Sequence, residues 1–140
     1  MQEIWKPVIG YEGRYEISNL GNARRIARET FEKNGKCRNL KLRPSKLSIH
    51  HTGYVYFHPY NGVKVTNLFV HRAVAMAFPE ICGQWFEGAT VDHLNGIKTD
   101  NRAENLRVCT MSENQRNPVT WDKKIEHALK NLEMINSSKR

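Results

Sequence analysis

A chain of 140 residues and 16.3 kDa can bury one modest core or two small lobes, which excludes a large multidomain machine. With 22 Lys and Arg against 14 Asp and Glu it carries a net charge of +8, so a polyanion is the first partner to expect. A mean hydropathy of -0.65 without a long apolar run excludes a transmembrane helix, and a hydrophobic content of 39% excludes global disorder.

The first residues, Met1 to Pro7, lack the basic and then apolar stretch of a secretory signal, and a cytoplasmic location is expected. Residues 3–27 read as short strands. Gly10-Tyr11-Glu12-Gly13 is a turn, residues 14–18 alternate polar and apolar, and Asn19-Leu20-Gly21-Asn22 is a second turn, which predicts a small hairpin. Seven of the eight net charges fall within residues 24–46, where nine Lys and Arg meet only Glu29 and Glu32. This basic segment, which also carries Asn34, Asn39 and turn-forming Gly35, can lay several cations along a phosphate backbone, each neutralised phosphate releasing counterions. A solvated loop that merely keeps the chain soluble is the plainer alternative.

Residues 54–57 and 63–70 predict a second β pair joined by Asn61-Gly62, a signal for a type I′ turn. Residues 71–78 form a short helix stopped by Pro79, with Val74 and Phe78 on one side, and residues 80–89 read as a connecting loop. Residues 90–93 and 106–110 are strands either side of a polar turn, and Thr110-Met111-Ser112-Glu113 is a capping box that starts a helix near 111, ended by Pro118. Beyond it Trp121, Ile125, Ala128, Leu129, Leu132 and Ile135 recur at helical spacing. They predict an amphipathic C-terminal helix that closes the core or offers a dimer surface. Cys37, Cys82 and Cys109 are odd in number and widely spaced, so they read as reduced thiols, with Cys109 a small core residue.

Chemistry concentrates between residues 90 and 117, where Asp92, Asn95, Asp100, Asn101, Asn105, Asn114 and Asn117 surround one histidine, His93. Hydrolysing a phosphodiester needs an activated water, neutralised phosphate charge and a stabilised leaving oxygen; a histidine base beside a hard-cation site supplies all three. Asp92 offers an anionic oxygen and Asn114 a neutral carbonyl. Two oxygen ligands, with the remaining positions left to water and phosphate, suit Mg²⁺ or Mn²⁺ better than Zn²⁺. Neighbours on a strand point to opposite faces, so Asp92 and His93 share a site only if the strand ends or twists at Leu94-Asn95-Gly96. The carbonyl of Asn105 is expected to accept from one imidazole N–H and leave the other nitrogen for water.

Val91-Asp92-His93-Leu94-Asn95-Gly96, Asn101-Arg102-Ala103-Glu104-Asn105-Leu106-Arg107-Val108 and Ser112-Glu113-Asn114 together resemble the HNH homing endonucleases, as does Val70-His71-Arg72-Ala73-Val74-Ala75 upstream. Ile4-Trp5-Lys6-Pro7, the stretch from Gly10 to Asn19, and Gly21 resemble the modular motif found at the front of phage- and intron-encoded nucleases of this kind. The resemblance implies an α+β fold. A small N-terminal antiparallel β lobe with a basic DNA-contact segment occupies 1–47, a ββα-metal (His-Me finger) nuclease domain 48–118, and a C-terminal helix 119–140. It also implies a DNA endonuclease in which His93 is the general base, Asn105 its orienting partner, and Asp92 and Asn114 the ligands of one divalent cation, Mg²⁺ or Mn²⁺. Asn114 stands where the family often has His, which favours a hard cation, and Asn117 is the alternative ligand one helical turn on.

DNA contacts are expected from Arg24, Arg25, Arg28, Lys36, Arg38, Lys41, Arg43 and Lys46. The implied partner is double-stranded DNA, nicked by a monomer or cut on both strands by a homodimer, in a bacterial host carrying a phage or mobile element. The rival reading is a catalytically silent DNA-binding module of the same fold. His71 reads as a packing or capping residue, and Trp5, Trp85 and Trp121 as packing aromatics.

Overall fold

The computed structural model describes residues 2–119 together with Glu126, Leu129, Lys130 and Glu133. Strands β1 (Trp5–Pro7), β2 (Tyr15–Ser18) and β3 (Ala23–Arg25) form an antiparallel meander through the two turns read from sequence. Gly21, at φ +88°, takes the left-handed conformation that the turn between β2 and β3 requires. Ile17 on β2 is fully buried.

The basic segment is built of strands, not the solvated loop that is the plainer alternative from sequence. Its strands β4 (Arg28–Phe31) and β5 (Cys37–Leu40) pair as a separate two-stranded ribbon, and β6 (Arg43–Pro44) then returns to pair with β3. The ribbon's turn is made locally: Asn34 Oδ1 accepts Lys36 N–H at 2.9 Å, and Gly35 N–H, at φ +83°, donates to Glu32 O at 2.9 Å. Pro44 lacks a donor and sits on the sheet edge, where none is needed.

A second sheet joins β7 (Ser48–Ile49), β8 (Val55–Phe57) and β9 (Leu68–Phe69) in that order. The predicted strand over 63–70 shrinks to Leu68–Phe69. Asn61 Oδ1 accepts both Val63 N–H and Lys64 N–H, at 2.9 Å each, an Asx turn in which Gly62 alone has positive φ. A type I′ turn needs positive φ at both central positions, so the tight hairpin does not form. Helix α1 (Val70–Ala77) follows β9 directly, and Val70, Val74 and Phe78 are all sealed in the core. Pro79 ends α1 but starts α2 (Pro79–Cys82), a short helix in what read as loop, because a proline at the first helical position costs no hydrogen bond.

Strands β10 (Thr90–His93) and β11 (Leu106–Cys109) pair antiparallel, with a 3-10 turn over Ala103–Asn105 leading into the second, and α3 (Met111–Gln115) completes a ββα unit. Thr110 caps α3 by accepting Glu113 N–H at 3.1 Å, as the sequence predicts, an interaction that contributes about 1 kcal/mol. One core runs beneath both halves, joining Val8 and Ile17 of the N-terminal meander to Phe57, Val74, Val91 and Leu106. Burying Phe57 and Phe78 there contributes on the order of 2–3 kcal/mol apiece. All three cysteines are free thiols; burial pushes Cys82 up to about 11, and Cys109 is buried as expected. Among the described residues no helix is long and apolar enough to cross a membrane. Most of the stretch in which the sequence predicts an amphipathic C-terminal helix lies outside the described residues; of its predicted apolar positions Leu129 is described, and it is exposed.

Candidate active site

The chain leaves β10 after His93 and returns to β11 through residues 94–105, an excursion held by two side chains. Asn105 accepts Asn95 N–H on its Oδ1 at 3.1 Å and donates its amide to Asn95 Oδ1 at 3.0 Å and to Asp100 O at 2.8 Å. Asp100 accepts from the Arg102 guanidinium at 2.8 and 2.9 Å and from Asn95 Nδ2 at 2.8 Å; Arg102 first, then Asn95, holds its carboxyl down to about 2. A polar loop pinned this densely presents the end of β10 in a fixed orientation.

His93 is 6% exposed, and its Nε2 lies 2.9 Å from Asn101 Oδ1. An amide oxygen only accepts, so the ring carries its proton on Nε2 and leaves Nδ1 as the free base. Burial holds the His93 pKa below the ordinary histidine value; the Asn101 hydrogen bond and the Asp92 and Asp100 carboxylates oppose that shift in part. Sequence reasoning gave this partnership to the carbonyl of Asn105. That carbonyl instead accepts Leu94 N–H at 2.8 Å, closing the mouth of the hairpin, and Asn101 takes the imidazole. Asn101 lay in the same polar motif without an assigned role, and its place on the loop was the available signal.

Asp92 is 2% exposed. Asn117 Nδ2 donates to both of its carboxylate oxygens, at 2.8 and 2.9 Å, and to His93 O at 3.1 Å, while Arg107 Nη2 donates to Oδ2 at 3.2 Å. Asn117 therefore turns its NH₂ and not its carbonyl toward Asp92; the carbonyl accepts Val119 N–H at 3.0 Å. It positions the carboxylate, a different task from the alternative metal ligand of the sequence reading. Asn114 projects from α3 into a cleft of about 360 Å³ shared with Tyr54, Phe69, His71 and Arg72. Asp92 lines a neighbouring cleft of about 450 Å³ with Leu94, Arg107 and Arg116.

Comparison with known proteins gives this geometry a relationship. Residues 3–58 match the model of the NUMOD4 motif, and residues 68–116 match that of the HNH endonuclease family. The DNA endonuclease I-HmuI of Bacillus phage SP01 is 36% identical over 116 residues, covering 83% of this chain and 58% of the phage protein. A solved structure described as DNA binding and cleavage by the HNH homing endonuclease I-HmuI matches with a TM-score of 0.66 at 33% identity, covering 91% of this chain and 66% of that one. The chain belongs to the HNH endonuclease family. An HNH endonuclease of Acanthamoeba polyphaga mimivirus, itself described as uncharacterized, is 35% identical over 124 residues, 84% of this chain and 26% of that protein. The chain thus spans only part of each relative, from 26% to 66% of its length.

The HNH segment contains Asp92, His93, Asn105 and Asn114; Asp92 and Asn114 carry oxygen donors of the kind a hard divalent cation takes, and they line separate clefts. Asp92 Oδ1 accepts one hydrogen bond and keeps a lone pair, and the amide of Asn114 has no hydrogen-bond partner among the described residues.

The NUMOD4 segment carries the basic residues, and the structure sorts them. Arg24 is committed elsewhere: its guanidinium pairs with Glu16 at 2.7 Å and stacks 4.0 Å over the Trp5 ring. Arg25, Arg43 and Lys46 line one cleft of about 310 Å³, joined there by His58 from beyond β8. Lys36 and Lys41 are exposed, Arg38 is exposed with only a long 3.7 Å contact to Glu32, and Arg28 is half-buried at the ribbon base.

The two matched segments meet at Asn101. Ala103 N–H donates to Asn19 O at 2.8 Å, and a Cβ added to Gly21 would lie 3.0–3.2 Å from Asn101 atoms. Gly21→Ala is expected to cost about 1–2 kcal/mol through its φ of +88° and, in addition, to push Asn101 off the His93 ring. Gly10→Ala is the control, since Gly10 shares the strained backbone at φ +90° but faces open space. Thermal unfolding should drop in both, and DNA cleavage should fall beyond the stability loss only in Gly21→Ala. Equal activity in the two proteins would disconnect the NUMOD4 turn from the base.

Proposed function

We propose that the chain is a metal-dependent DNA endonuclease that hydrolyses phosphodiester bonds, nicking double-stranded DNA as a monomer in the cytoplasm of a phage-carrying bacterial host. The observation that carries this reading is the His93 ring, buried and hydrogen-bonded through Nε2 to Asn101 so that Nδ1 is the basic nitrogen, next in sequence to the buried carboxylate of Asp92. The family relationship and the DNA cleavage described for I-HmuI support it. Residues 1–47 grip the duplex backbone and residues 48–118 carry the chemistry.

His93 Nδ1 takes the proton of a water as that water attacks phosphorus. The positive charge that develops on the ring strengthens its Nε2–H bond to Asn101 Oδ1. Asn105 acts at one remove, holding the loop from which Asn101 reaches the ring. Asp92 and Asn114 would hold one Mg²⁺ or Mn²⁺, which when bound supplies charge neutralisation at the phosphate and at the leaving oxygen. Asn117 keeps the Asp92 carboxylate oriented, and exposed cations among Arg25, Arg28, Lys36, Arg38, Lys41, Arg43 and Lys46 hold the DNA backbone.

The direct test is purified protein on supercoiled plasmid with Mg²⁺, Mn²⁺ or EDTA, resolving nicked from linear product. Nicked circles that require metal support the reading; plasmid bound but intact in every metal would favour the silent binding module. A pH series adds the identity of the base. Burial disfavours the charged ring, so the active neutral form persists to lower pH than in free histidine. The rate should fall on acidification with a midpoint below about 6.5, and a midpoint above about 7 would contradict His93 as the limiting base.

A further inference from the structure

His71 opens α1 and lines the same cleft as Asn114. Its ring is 7% exposed, packed against Tyr54 at 4.8 Å between centroids, Phe69 at 5.6 Å and the His93 imidazole at 5.3 Å. Among the described residues no hydrogen bond holds the ring, and its buried Nδ1 has no partner. A buried nitrogen without a partner is a cost that a phenyl ring in the same space avoids, so packing alone does not account for an imidazole here. Burial first, then His93 and Arg72, brings its pKa down to about 3, and the ring stays neutral at every pH where His93 works as a base.

A neutral imidazole carries one N–H and one lone pair. With Nδ1 sealed, Nε2 is the nitrogen through which a molecule in the cleft reaches the ring. The cleft, at about 360 Å³, falls in the size range of small-ligand sites and is walled by the Tyr54 and Phe69 rings, with the Arg72 cation and the Asn114 amide on it. Aromatic walls suit a sugar or base, and a cation with two neutral polar groups suits a phosphate. We propose that His71 contacts the substrate: its Nε2–H donates to a phosphate oxygen of the nucleotide bound in the cleft between Tyr54, Arg72 and Asn114, beside His93. The inference rests on the nuclease reading. A neutral donor does this without placing a second positive charge against the base, where it would oppose protonation of His93.

The test compares His71→Phe, which keeps a packing ring and removes both nitrogens, with His71→Gln, which keeps an N–H donor. Plasmid cleavage at saturating DNA, plasmid affinity by gel shift and thermal unfolding are measured on the full chain. His71→Phe should melt no lower than wild type and bind plasmid within a few fold, yet cleave about 10²-fold more slowly, the loss typical of one missing transition-state donor. His71→Gln should recover part of the rate while melting lower. Activity and stability then move in opposite directions, which a packing role does not produce. Wild-type cleavage by His71→Phe overturns the proposal, as does a rate that simply follows stability across both variants. If His71→Phe does not fold, His71→Gln decides: folded, DNA-binding and inactive overturns the proposal, and substantial cleavage supports it. If wild type cuts no plasmid in any metal, the nuclease reading itself fails and this inference with it.

Discussion

Replacing His93 with alanine is expected to lower plasmid cleavage by about 10²–10⁴-fold while DNA affinity stays within a few fold. Among the described residues the ring's hydrogen bond is Nε2–H to Asn101 Oδ1, which leaves Nδ1 as the nitrogen for the proposed base. The cations proposed to hold DNA lie in the N-terminal part of the chain, well apart in sequence from β10, and are untouched by the change. Alanine does leave a space against Tyr54 and His71, which pack on the ring at 5.9 and 5.3 Å between centroids. His93→Gln, which fills more of that space and still reaches toward Asn101, separates the two effects: a stable, DNA-binding, inactive His93→Gln protein assigns the loss to the missing base. Cleavage retained in both variants would remove His93 from its role. Loss of DNA binding along with cleavage would show that the ring supports the fold of the cleft before it supports chemistry.

The ββα unit was legible because each of its parts is announced locally. Thr110 and Glu113 set the start of α3, Val91 and Leu106 set the buried faces of the hairpin, and turn residues separate the strands. The ribbon at 28–40 was not, because charge dominates its composition and its β character rests on Thr30, Phe31 and one turn at Asn34-Gly35. Asn61-Gly62 misled for a related reason: the dipeptide suits a type I′ turn, but the Asn61 side chain claimed the next two N–H groups and set a different turn. Within the site the residue types were readable and the pairings were not. Five asparagines crowd residues 95–117, and composition does not say which amide meets which partner. Asn101 rather than Asn105 meets the imidazole because Asn105 is drawn into closing the hairpin mouth, a long-range outcome of where the 3-10 turn falls. His71 reads from sequence as a packing or capping residue because no spacing brings Tyr54 and His93 to it; the fold sets both rings beside it.

Asp92→Asn is expected to abolish cleavage and, without any DNA present, to abolish the rise in melting temperature that the proposed site predicts for the wild type with Mg²⁺ or Mn²⁺. A cation that binds only the folded protein stabilises it by RT ln(1 + [L]/Kd), so the metal-dependent shift reports the ligand directly and independently of turnover. The substitution also turns one oxygen into an NH₂ within a pocket where Asn117 already presents its own NH₂ to both carboxylate oxygens. Two donors then face each other in a site that is 2% exposed, a mismatch worth about 1–3 kcal/mol in the metal-free protein. Arg107 gives the needed control. Its guanidinium pairs with Asp92 Oδ2 at 3.2 Å but is 45% exposed, so Arg107→Met frees a carboxylate lone pair at modest cost. The metal-induced shift should therefore survive in Arg107→Met and vanish in Asp92→Asn. If Asp92→Asn keeps the full metal-induced shift, the carboxylate is not a metal ligand, and its place in the fold is explained by its bonds to Asn117 and Arg107: a buried anchor that ties β10 to the chain just beyond α3 and to β11.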